Sequence, residues 1–145
     1  MSILSFIHPV RTYLPCSGIG RHANNTLTRL AERKGIDVEL FFAEQWLDED
    51  GEMDPQTPLR RLPHRTFSSP ENLTERCWKL LGRPYMDRWV PDNTDLVYSP
   101  METYLPLRDT PAVVTIHDVQ AFETDLPWSQ TWAHRWFRWK WSTWI

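Results

Sequence analysis

The sequence predicts a Rossmann-like α/β domain with three layers and a mostly parallel sheet, and two segments carry this prediction. The segment Pro111–Val119 has closely spaced β-branched residues and contains a His-Asp pair. Its apolar residues do not alternate strictly with polar ones, which is typical of a parallel strand buried on both faces. Near the start, Ile3–Ile7 has the pattern of a strand and precedes a glycine-containing turn and a helical pattern. This order is that of a βαβ unit.

The glycine-containing segment Ser17–Arg21 has the sequence Ser-Gly-Ile-Gly-Arg. It predicts a glycine loop that leads into a helix, which extends to about Lys34 with Gly35 as a suitable C-cap. The N-terminus of a helix presents backbone N–H groups and the positive end of the helix dipole. The sequence therefore predicts a candidate anion site at this loop.

The other predicted elements depend on proline and glycine punctuation. Residues 44–70 are first acidic and then rich in proline, which predicts an exposed excursion with at most one short strand, near Leu59–Leu62. Ser69 and Pro70 suit the N-cap and first position of a helix that ends near Gly82. The remaining predictions are strands at Ile36–Phe42, Asp95–Tyr98 and residues 112–116, and a helix from about Trp128 to Ile145.

Length, charge and cysteine content exclude several classes of function. A chain of 145 residues suits a single domain over 1–145, and its net charge of −3 gives no support for nucleic-acid binding. The two cysteines and five histidines lack the spacing of metal ligands, so we predict no metal and no cofactor. A signal-peptide pattern and an apolar run of about 20 residues are both missing from the sequence, which favours the cytoplasm.

The glycine segment also permits a dinucleotide-binding interpretation. Gly18–Ala23 fits the pattern Gly-x-Gly-x-x-Ala, and Glu44 lies where a ribose-binding acid would be expected. However, His8–Ser17 separates the strand from the first glycine, whereas in a dinucleotide fold the strand runs almost directly into the turn. This longer segment could form the wall of a cleft. A turn that merely connects strand to helix is the third alternative, and all three stay open.

Four motifs follow one another along the chain: Gly18-Ile-Gly-Arg-His22, Asn25, Tyr98-Ser-Pro100 and Val114-Thr-Ile-His-Asp118. In this order and spacing they resemble the N-terminal half of a GT-B glycosyltransferase of the family 4 type. The resemblance spans nearly the whole chain, with a loose match over residues 44–70. His22 stands where the family often has Tyr.

The resemblance implies a retaining hexosyltransferase that moves a sugar from a nucleotide-sugar donor to a sugar or lipid-linked acceptor in polysaccharide biosynthesis. The matching His of the family contacts the transferred sugar, so His117 is the predicted catalytic residue. The predicted substrate-binding residues are Gly18, Ile19, Gly20, Arg21, His117 and Asp118. Asn25 is expected to have a structural role. Positive groups and helix N-termini would stabilise the leaving diphosphate, so this chemistry needs no metal.

In the family, the N-terminal half mainly binds the acceptor, whereas the C-terminal half holds the nucleotide and carries a motif of two spaced glutamates. No such motif follows His117 in the sequence. We therefore expect a truncated fragment that is inactive without a C-terminal domain or a partner chain. The alternatives are a stand-alone nucleotide- or dinucleotide-binding module and a non-catalytic adaptor at a membrane surface.

The C-terminal segment is rich in tryptophan, with six of the nine tryptophans after residue 127. Trp128, Trp132, Trp136 and Trp139 recur at helical spacing and so share one face. Packing of this face on the core or on a further domain is the favoured interpretation. Because basic residues lie among the tryptophans, peripheral contact with the inner face of a membrane is the alternative.

Overall fold

The structure is a computed structural model, and it describes residues 1–69, 72–117, 125 and 127–142. Its strands are β1 (Ser2–Phe6), β2 (Asp37–Ala43), β3 (His64–Phe67), β4 (Leu96–Ser99) and β5 (Ala112–Val114). They form one sheet in the order β3-β2-β1-β4-β5, and every pair of neighbours is parallel. The predicted fold class, a Rossmann-like α/β domain with a parallel sheet, is confirmed. The chain divides into two compact units, Met1–Thr115 and Ile116–Ile145.

Strands β1 and β2 form the buried centre of the sheet. Phe6 of β1 and Leu40, Phe41 and Phe42 of β2 are each 0% exposed. Burial of consecutive residues means that both faces of these strands are covered, which is the expected environment of a parallel sheet. The apolar runs in the sequence therefore predicted both strands correctly.

Helices α1 (Gly18–Ala31) and α2 (Leu73–Leu81) cover opposite faces of this sheet. Ile3 belongs to one core cluster together with buried residues of α1. Phe6 lies three positions along the same strand and contacts Trp78 of α2, with ring centroids 5.8 Å apart. Because side chains alternate along a strand, residues three apart point to opposite faces. The sheet is therefore the middle layer of three.

The glycine segment is the first turn of α1 and not a loop, so this part of the prediction is wrong. Ser17 is the N-cap, and its hydroxyl accepts a hydrogen bond from the N–H of Gly20 at 3.4 Å. The predicted end at Lys34 is also wrong by about one turn, since α1 ends at Ala31. Gly35 follows in a separate turn with φ +83°, a left-handed conformation that favours glycine.

The strand predicted near Leu59–Leu62 is wrong. Pro58–Arg61 forms a 3-10 helix, and β3 begins later, at His64. Proline fixes φ near −65° and has no N–H for a strand ladder, which suits Pro58 to the first turn of a helix. Pro63 then enters the sheet as an acceptor only, because its carbonyl receives the N–H of Leu40 at 2.8 Å.

The start of α2 differs from the prediction, whereas its end agrees. Asn72 is the N-cap residue instead of Ser69, whose carbonyl accepts the Asn72 N–H in a turn before the helix. Pro70 lies outside the described residues. Gly82 ends the helix in the left-handed conformation, with φ 64°, and its N–H donates to the carbonyl of Trp78 at 3.1 Å.

Strand β5 is shorter and more exposed than predicted. Ala112 and Val113 are exposed, and Val114 is half-buried, so the prediction of burial on both faces is wrong. Within the described residues β5 pairs with β4 alone. An edge strand of a sheet can expose much of its surface to solvent even when its residues are apolar.

The second unit contains a 3-10 helix, Pro127–Gln130, and α3 (Trp132–Ser142). The predicted C-terminal helix is confirmed over α3, and residues 143–145 lie outside the described part. Trp132 is 78% exposed and Trp139 57% exposed, so these two tryptophans do not pack on the core of the described structure. Packing of this face on a further domain stays a prediction. Among the helices described, none is long and apolar enough to cross a membrane.

Candidate functional site

The strand order reverses between β1 and β4, and this reversal locates the candidate site. Open α/β sheets bind ligands in the crevice outside the carboxyl ends of the strands at such a point. The chain that leaves β1 reaches α1 here, and Tyr98 and Thr115 lie at the ends of the neighbouring strands. We call Ser17–Arg21, His22, Tyr98 and Thr115 the carboxyl-edge site.

The first turn of α1 offers backbone N–H groups to this site. The Ser17 carbonyl accepts the N–H of Arg21 at 2.9 Å, so the N–H groups of Gly18 and Ile19 precede the first intrahelical bond. The Arg21 side chain is exposed, whereas Ile19 is partly buried against the core. The turn is thus suited to an anion such as phosphate. In the described part of the chain, no group of three or more His, Cys, Asp or Glu residues could hold a metal ion.

The two glycines of this turn have different surroundings. A Cβ on Gly20 would lie 2.0 Å from the carbonyl oxygen of Arg11 and 2.8 Å from Cβ of Cys16. Only glycine lets the backbone of residues 8–17 approach the helix this closely. A Cβ on Gly18 would meet no heavy atom within 4 Å. Gly20 is therefore required for packing, whereas Gly18 borders open space at the start of the helix.

Residues 8–17 are fixed by hydrogen bonds to the surrounding structure. The hydroxyls of Thr12 and Thr57 lie 2.7 Å apart, and the side-chain amide of Asn24 donates to the Thr12 carbonyl at 2.9 Å. A segment held in this way can form the wall of a cleft, as the sequence suggested. Asn24 is buried and has a structural role here, whereas Asn25 is exposed and its expected role stays a prediction.

A short hydrogen-bonded chain links α1, β4 and the residue after β5. The hydroxyl of Tyr98 lies 3.0 Å from Oγ1 of Thr115 and 3.5 Å from Nε2 of His22. Thr115 is held in place because its N–H donates to the carbonyl of Ser99 at 2.8 Å. The sequence marked Tyr98 and His22 as parts of two motifs but gave no sign that they meet. The arrangement provides hydroxyl and imidazole groups that can bind the hydroxyls of a ligand.

His8 lies at the carboxyl end of β1 on the face covered by α2. Its Nδ1 is 3.8 Å from a carboxylate oxygen of Glu75, and its ring meets Phe6 edge-on with centroids 5.2 Å apart. Burial lowers the pKa of His8 to about 4, with further contributions from the charges of Arg11 and Lys79. The imidazole is therefore neutral at neutral pH.

Glu75 is only 8% exposed. Burial raises its pKa, and the nearby Lys79 opposes this shift in part. The sequence analysis did not predict the contact between His8 and Glu75. The position of His8 just after a strand was the one signal available, whereas the burial of Glu75 arises from the packing of α2.

His117, the predicted catalytic residue, is half-buried and lies three positions after the end of β5. It belongs to the second unit, Ile116–Ile145. Its role at the carboxyl-edge site stays a prediction, as does its proximity to Gly18, Gly20 and Arg21. Asp118 lies outside the described residues.

Comparison with known proteins gives one informative similarity. Over 127 residues, which is 84% of this chain, the sequence is 28% identical to O-antigen chain mannosyltransferase B of Escherichia coli. The chain has a distant glycosyltransferase relative. The present chain spans 32% of the length of this mannosyltransferase. No family model matches the chain, and no solved structure matches it.

Proposed function

We propose that this chain is the acceptor-side half of a glycosyltransferase in glycan or polysaccharide biosynthesis. The similarity to a mannosyltransferase over 127 residues carries this proposal. The location of the carboxyl-edge site at the reversal of strand order supports it. The GT-B architecture, the family 4 type, retention of configuration and a cytoplasmic location are parts of the same proposal.

In this proposal the first turn of α1 binds the diphosphate of the donor. Negative charge grows on that group as the sugar leaves, and the helix dipole together with Arg21 stabilises it. His22, Tyr98 and Thr115 bind hydroxyls of the acceptor. His117 contacts the transferred sugar. Because the chain spans about a third of its relative, a further domain or a partner chain completes the nucleotide site.

A binding experiment tests the proposal directly. The isotopically labelled chain is titrated with nucleoside diphosphate sugars, including a mannosyl donor, and with mannose oligosaccharides. We expect weak binding, with NMR shifts centred on Gly18–Arg21. Arg21→Ala weakens this binding, whereas Arg60→Ala, an exposed arginine on the Pro58–Arg61 helix, leaves it unchanged. Micromolar binding of NAD or NADP without binding of any nucleotide sugar would favour the dinucleotide-binding module.

A turnover assay tests the expected inactivity of the isolated chain. We expect no sugar transfer from any donor in the panel. Transfer that His117→Ala abolishes would show that the chain is active alone. That result would contradict the proposed need for a second half while supporting the function itself.

A membrane-surface adaptor is the second candidate function, and the exposure of Trp132 and Trp139 favours it. Tryptophans interleaved with basic residues suit the interface between lipid headgroups and acyl chains. In a flotation assay with anionic vesicles, Trp132→Ser together with Trp139→Ser should release the chain. Unchanged flotation of this variant would exclude the adaptor role of α3.

A further inference from the structure

A groove of about 880 Å³ lies between the C-terminal end of α1 and the 3-10 helix Pro58–Arg61. On the α1 side it is lined by Thr28, Ala31 and Glu32. Residues three and four positions apart share one side of a helix, so these three present a single face. Sites for small molecules commonly have volumes of about 300 to 1,000 Å³. We call this hollow, bounded by α1, the 3-10 helix and residues 55–57, the α1 groove.

The walls of the α1 groove are held in place before any ligand binds. Ala31 of α1 and Leu62, which follows the 3-10 helix, pack against one core cluster. The Leu14 N–H donates to the carbonyl of Gln56 at 3.1 Å, which ties residues 8–17 to the loop beside the groove. A preformed site loses less binding free energy to the ordering of its own side chains.

Two neighbouring arginines of the 3-10 helix, Arg60 and Arg61, line the groove and are exposed. Within the described part of the chain, neither guanidinium forms an ion pair or a hydrogen bond. The next arginine along the chain differs, because Arg65 lies 3.4 Å from a carboxylate oxygen of Glu39. The planar fork of N–H donors on an arginine matches a carboxylate. Arg60 and Arg61 therefore provide unused donors for an anionic group.

Much of the remaining lining of the groove is apolar. Leu14, Pro55 and Pro58 are exposed at the groove, and Leu62 is half-buried in it. Covering exposed apolar surface with the apolar body of a ligand removes it from water and stabilises the complex. The groove thus offers donors for an anion together with a surface for an apolar group, which is the usual pattern of a small-molecule site.

The negative charges of the groove decide how such a ligand would be oriented. Glu32 lies on the α1 wall, where the C-terminal end of the helix adds partial negative charge. An anionic group is therefore repelled from α1 and attracted to the arginine side. Because Arg60, Arg61 and Glu32 are the charged residues of the lining, a monoanion neutralises the groove, whereas a dianion leaves negative charge beside Glu32.

We propose that the α1 groove binds a small carboxylic acid with an apolar body. The carboxylate lies between Arg60 and Arg61, and the apolar body covers the leucines and prolines of the lining. Thr28 is about 15 Å from Gly18 along α1, at a rise of about 1.5 Å per residue, so this site is distinct from the carboxyl-edge site. It does not depend on the proposed transferase function.

NMR titration of the complete, isotopically labelled chain with 2-naphthoate tests the proposal. We expect shifts in residues 28–32 and 55–62 and a dissociation constant of about 1 mM, the affinity usual for so small a ligand. Two further probes separate the contributions of charge and apolar surface. The neutral 2-naphthamide, and acetate, which lacks the apolar rings, should each bind at least about tenfold more weakly.

Variants of the two arginines provide a second measurement. Arg60→Ala together with Arg61→Ala should weaken 2-naphthoate binding by about tenfold or more, because the donors for the carboxylate are lost. Arg76→Ala together with Arg108→Ala removes two exposed arginines elsewhere and is the matched control, which should leave the affinity unchanged. Cooperative thermal unfolding of each variant shows that the fold is intact.

Glu32→Gln tests the orientation of the ligand. Loss of the Glu32 charge should strengthen the binding of 2-naphthyl phosphate, a dianion, by more than that of 2-naphthoate. An equal effect on both ligands would contradict the proposed orientation. In the original chain, 2-naphthoate should bind at least as tightly as the phosphate.

Four outcomes would overturn the proposal. The first is an absence of shifts in residues 28–32 and 55–62, or shifts confined to Gly18–Arg21, which would assign the binding to the carboxyl-edge site. The second is equal binding of 2-naphthamide, or binding that survives the loss of both arginines, since neither leaves a role for the carboxylate. The third is tighter binding of 2-naphthyl phosphate, which would make a phosphate ester the ligand. The fourth is tighter binding of the peptide acetyl-Leu-Asp-Leu-amide than of 2-naphthoate, which would make an acidic protein segment the occupant.

Discussion

Gly20 lies where the backbone of Arg11 crosses the first turn of α1. The carbonyl oxygen of Arg11 occupies the space that any larger side chain would need. This contact orients residues 8–17 against the helix, and so it shapes one side of the carboxyl-edge site. Gly18, two residues earlier, has no such neighbour.

The two glycines should therefore respond differently to alanine. Gly20→Ala forces the crossing backbone to move and should lower the free energy of unfolding by about 3 kcal/mol. Gly18→Ala should be neutral or stabilising by up to about 1 kcal/mol, because it reduces the freedom of the unfolded chain. Urea unfolding measures both. Equal effects of the two substitutions would contradict the packing role of Gly20.

Glu75 should make stability depend on pH. Because burial raises its pKa in the folded state, ionisation of Glu75 opposes folding. Its contribution is most favourable below the unfolded value of 4.5 and is lost as the pH rises through the folded pKa. Glu75→Gln should thus raise the free energy of unfolding by about 1 kcal/mol at neutral pH and leave it unchanged well below 4.5.

Thermal unfolding across the pH range measures the effect of Glu75→Gln. The exposed Glu49→Gln serves as the control and should change stability by less than about 0.5 kcal/mol at any pH. A Glu75→Gln variant that is less stable at neutral pH would show that the carboxylate is held by interactions that outweigh its burial.

At the scale of elements, the sequence predicted the strands and helix ends that a local pattern of residues determines. Apolar runs predicted the strands β1, β2 and β4. Gly82 correctly predicted the end of α2. The exposure of β5 could not be predicted, because an apolar run carries no information on which neighbours cover it. The first turn of α1 was assigned to a loop from its glycines, although the bond from the Arg21 N–H to Ser17 makes it helical.

The site was predictable only where its residues are close in sequence. Ser17–Arg21 stood out as a local motif. The contact of His8 with Glu75, and that of Tyr98 with His22, join residues far apart in sequence, and packing alone brings them together. A single sequence contains no signal for such pairs.

Asp87 connects two segments on the way to β5. Its carboxylate accepts the N–H groups of Arg108, Asp109 and Thr110 at 2.9 to 3.0 Å. Partial burial by itself raises the pKa of Asp87, but the hydrogen bonds from Asp109, Arg108 and Thr110 together lower it by a larger amount, so the net shift is downward. The ionised carboxylate therefore stabilises the fold.

Asp87→Asn should lower the free energy of unfolding by about 1 kcal/mol at neutral pH. The contribution of Asp87 is present above its unfolded value of 3.8 and is lost as the pH falls through the folded pKa. The difference between the two proteins should therefore shrink in acid. The exposed Asp92→Asn is the matched control. A difference that grows as the pH falls would be incompatible with this account.

At the scale of the whole molecule, large apolar side chains are exposed in both units. Leu80 and Leu81 lie in the first unit, and Trp132 and Trp139 lie in the second. Proteins that expose such groups in patches tend to use them as contact surfaces. Interaction with other molecules is thus a property expected of this chain as a whole.

Association between chains at high concentration should depend on the tryptophans. We expect sedimentation velocity to show oligomers that increase with concentration, and Trp132→Ser with Trp139→Ser to reduce them. Leu14→Ser with Val113→Ser, which alters exposed apolar residues elsewhere, should leave the distribution unchanged. A chain that stays monomeric at every concentration would show that these tryptophans do not drive association.

Two hydrogen bonds hold Met1 in place, and its position decides how the molecule would be oriented in a binding measurement on a sensor chip. The amino group of Met1 donates to the carbonyl of Gly35 at 2.7 Å, and the Met1 carbonyl accepts the N–H of Asp37 at 2.9 Å. Met1 therefore lies at the amino edge of the sheet. The five residues of β1 separate it from the carboxyl edge by about 17 Å. A biotin attached at Met1 would tether the molecule to a sensor chip with the glycine turn directed toward the flowing analyte.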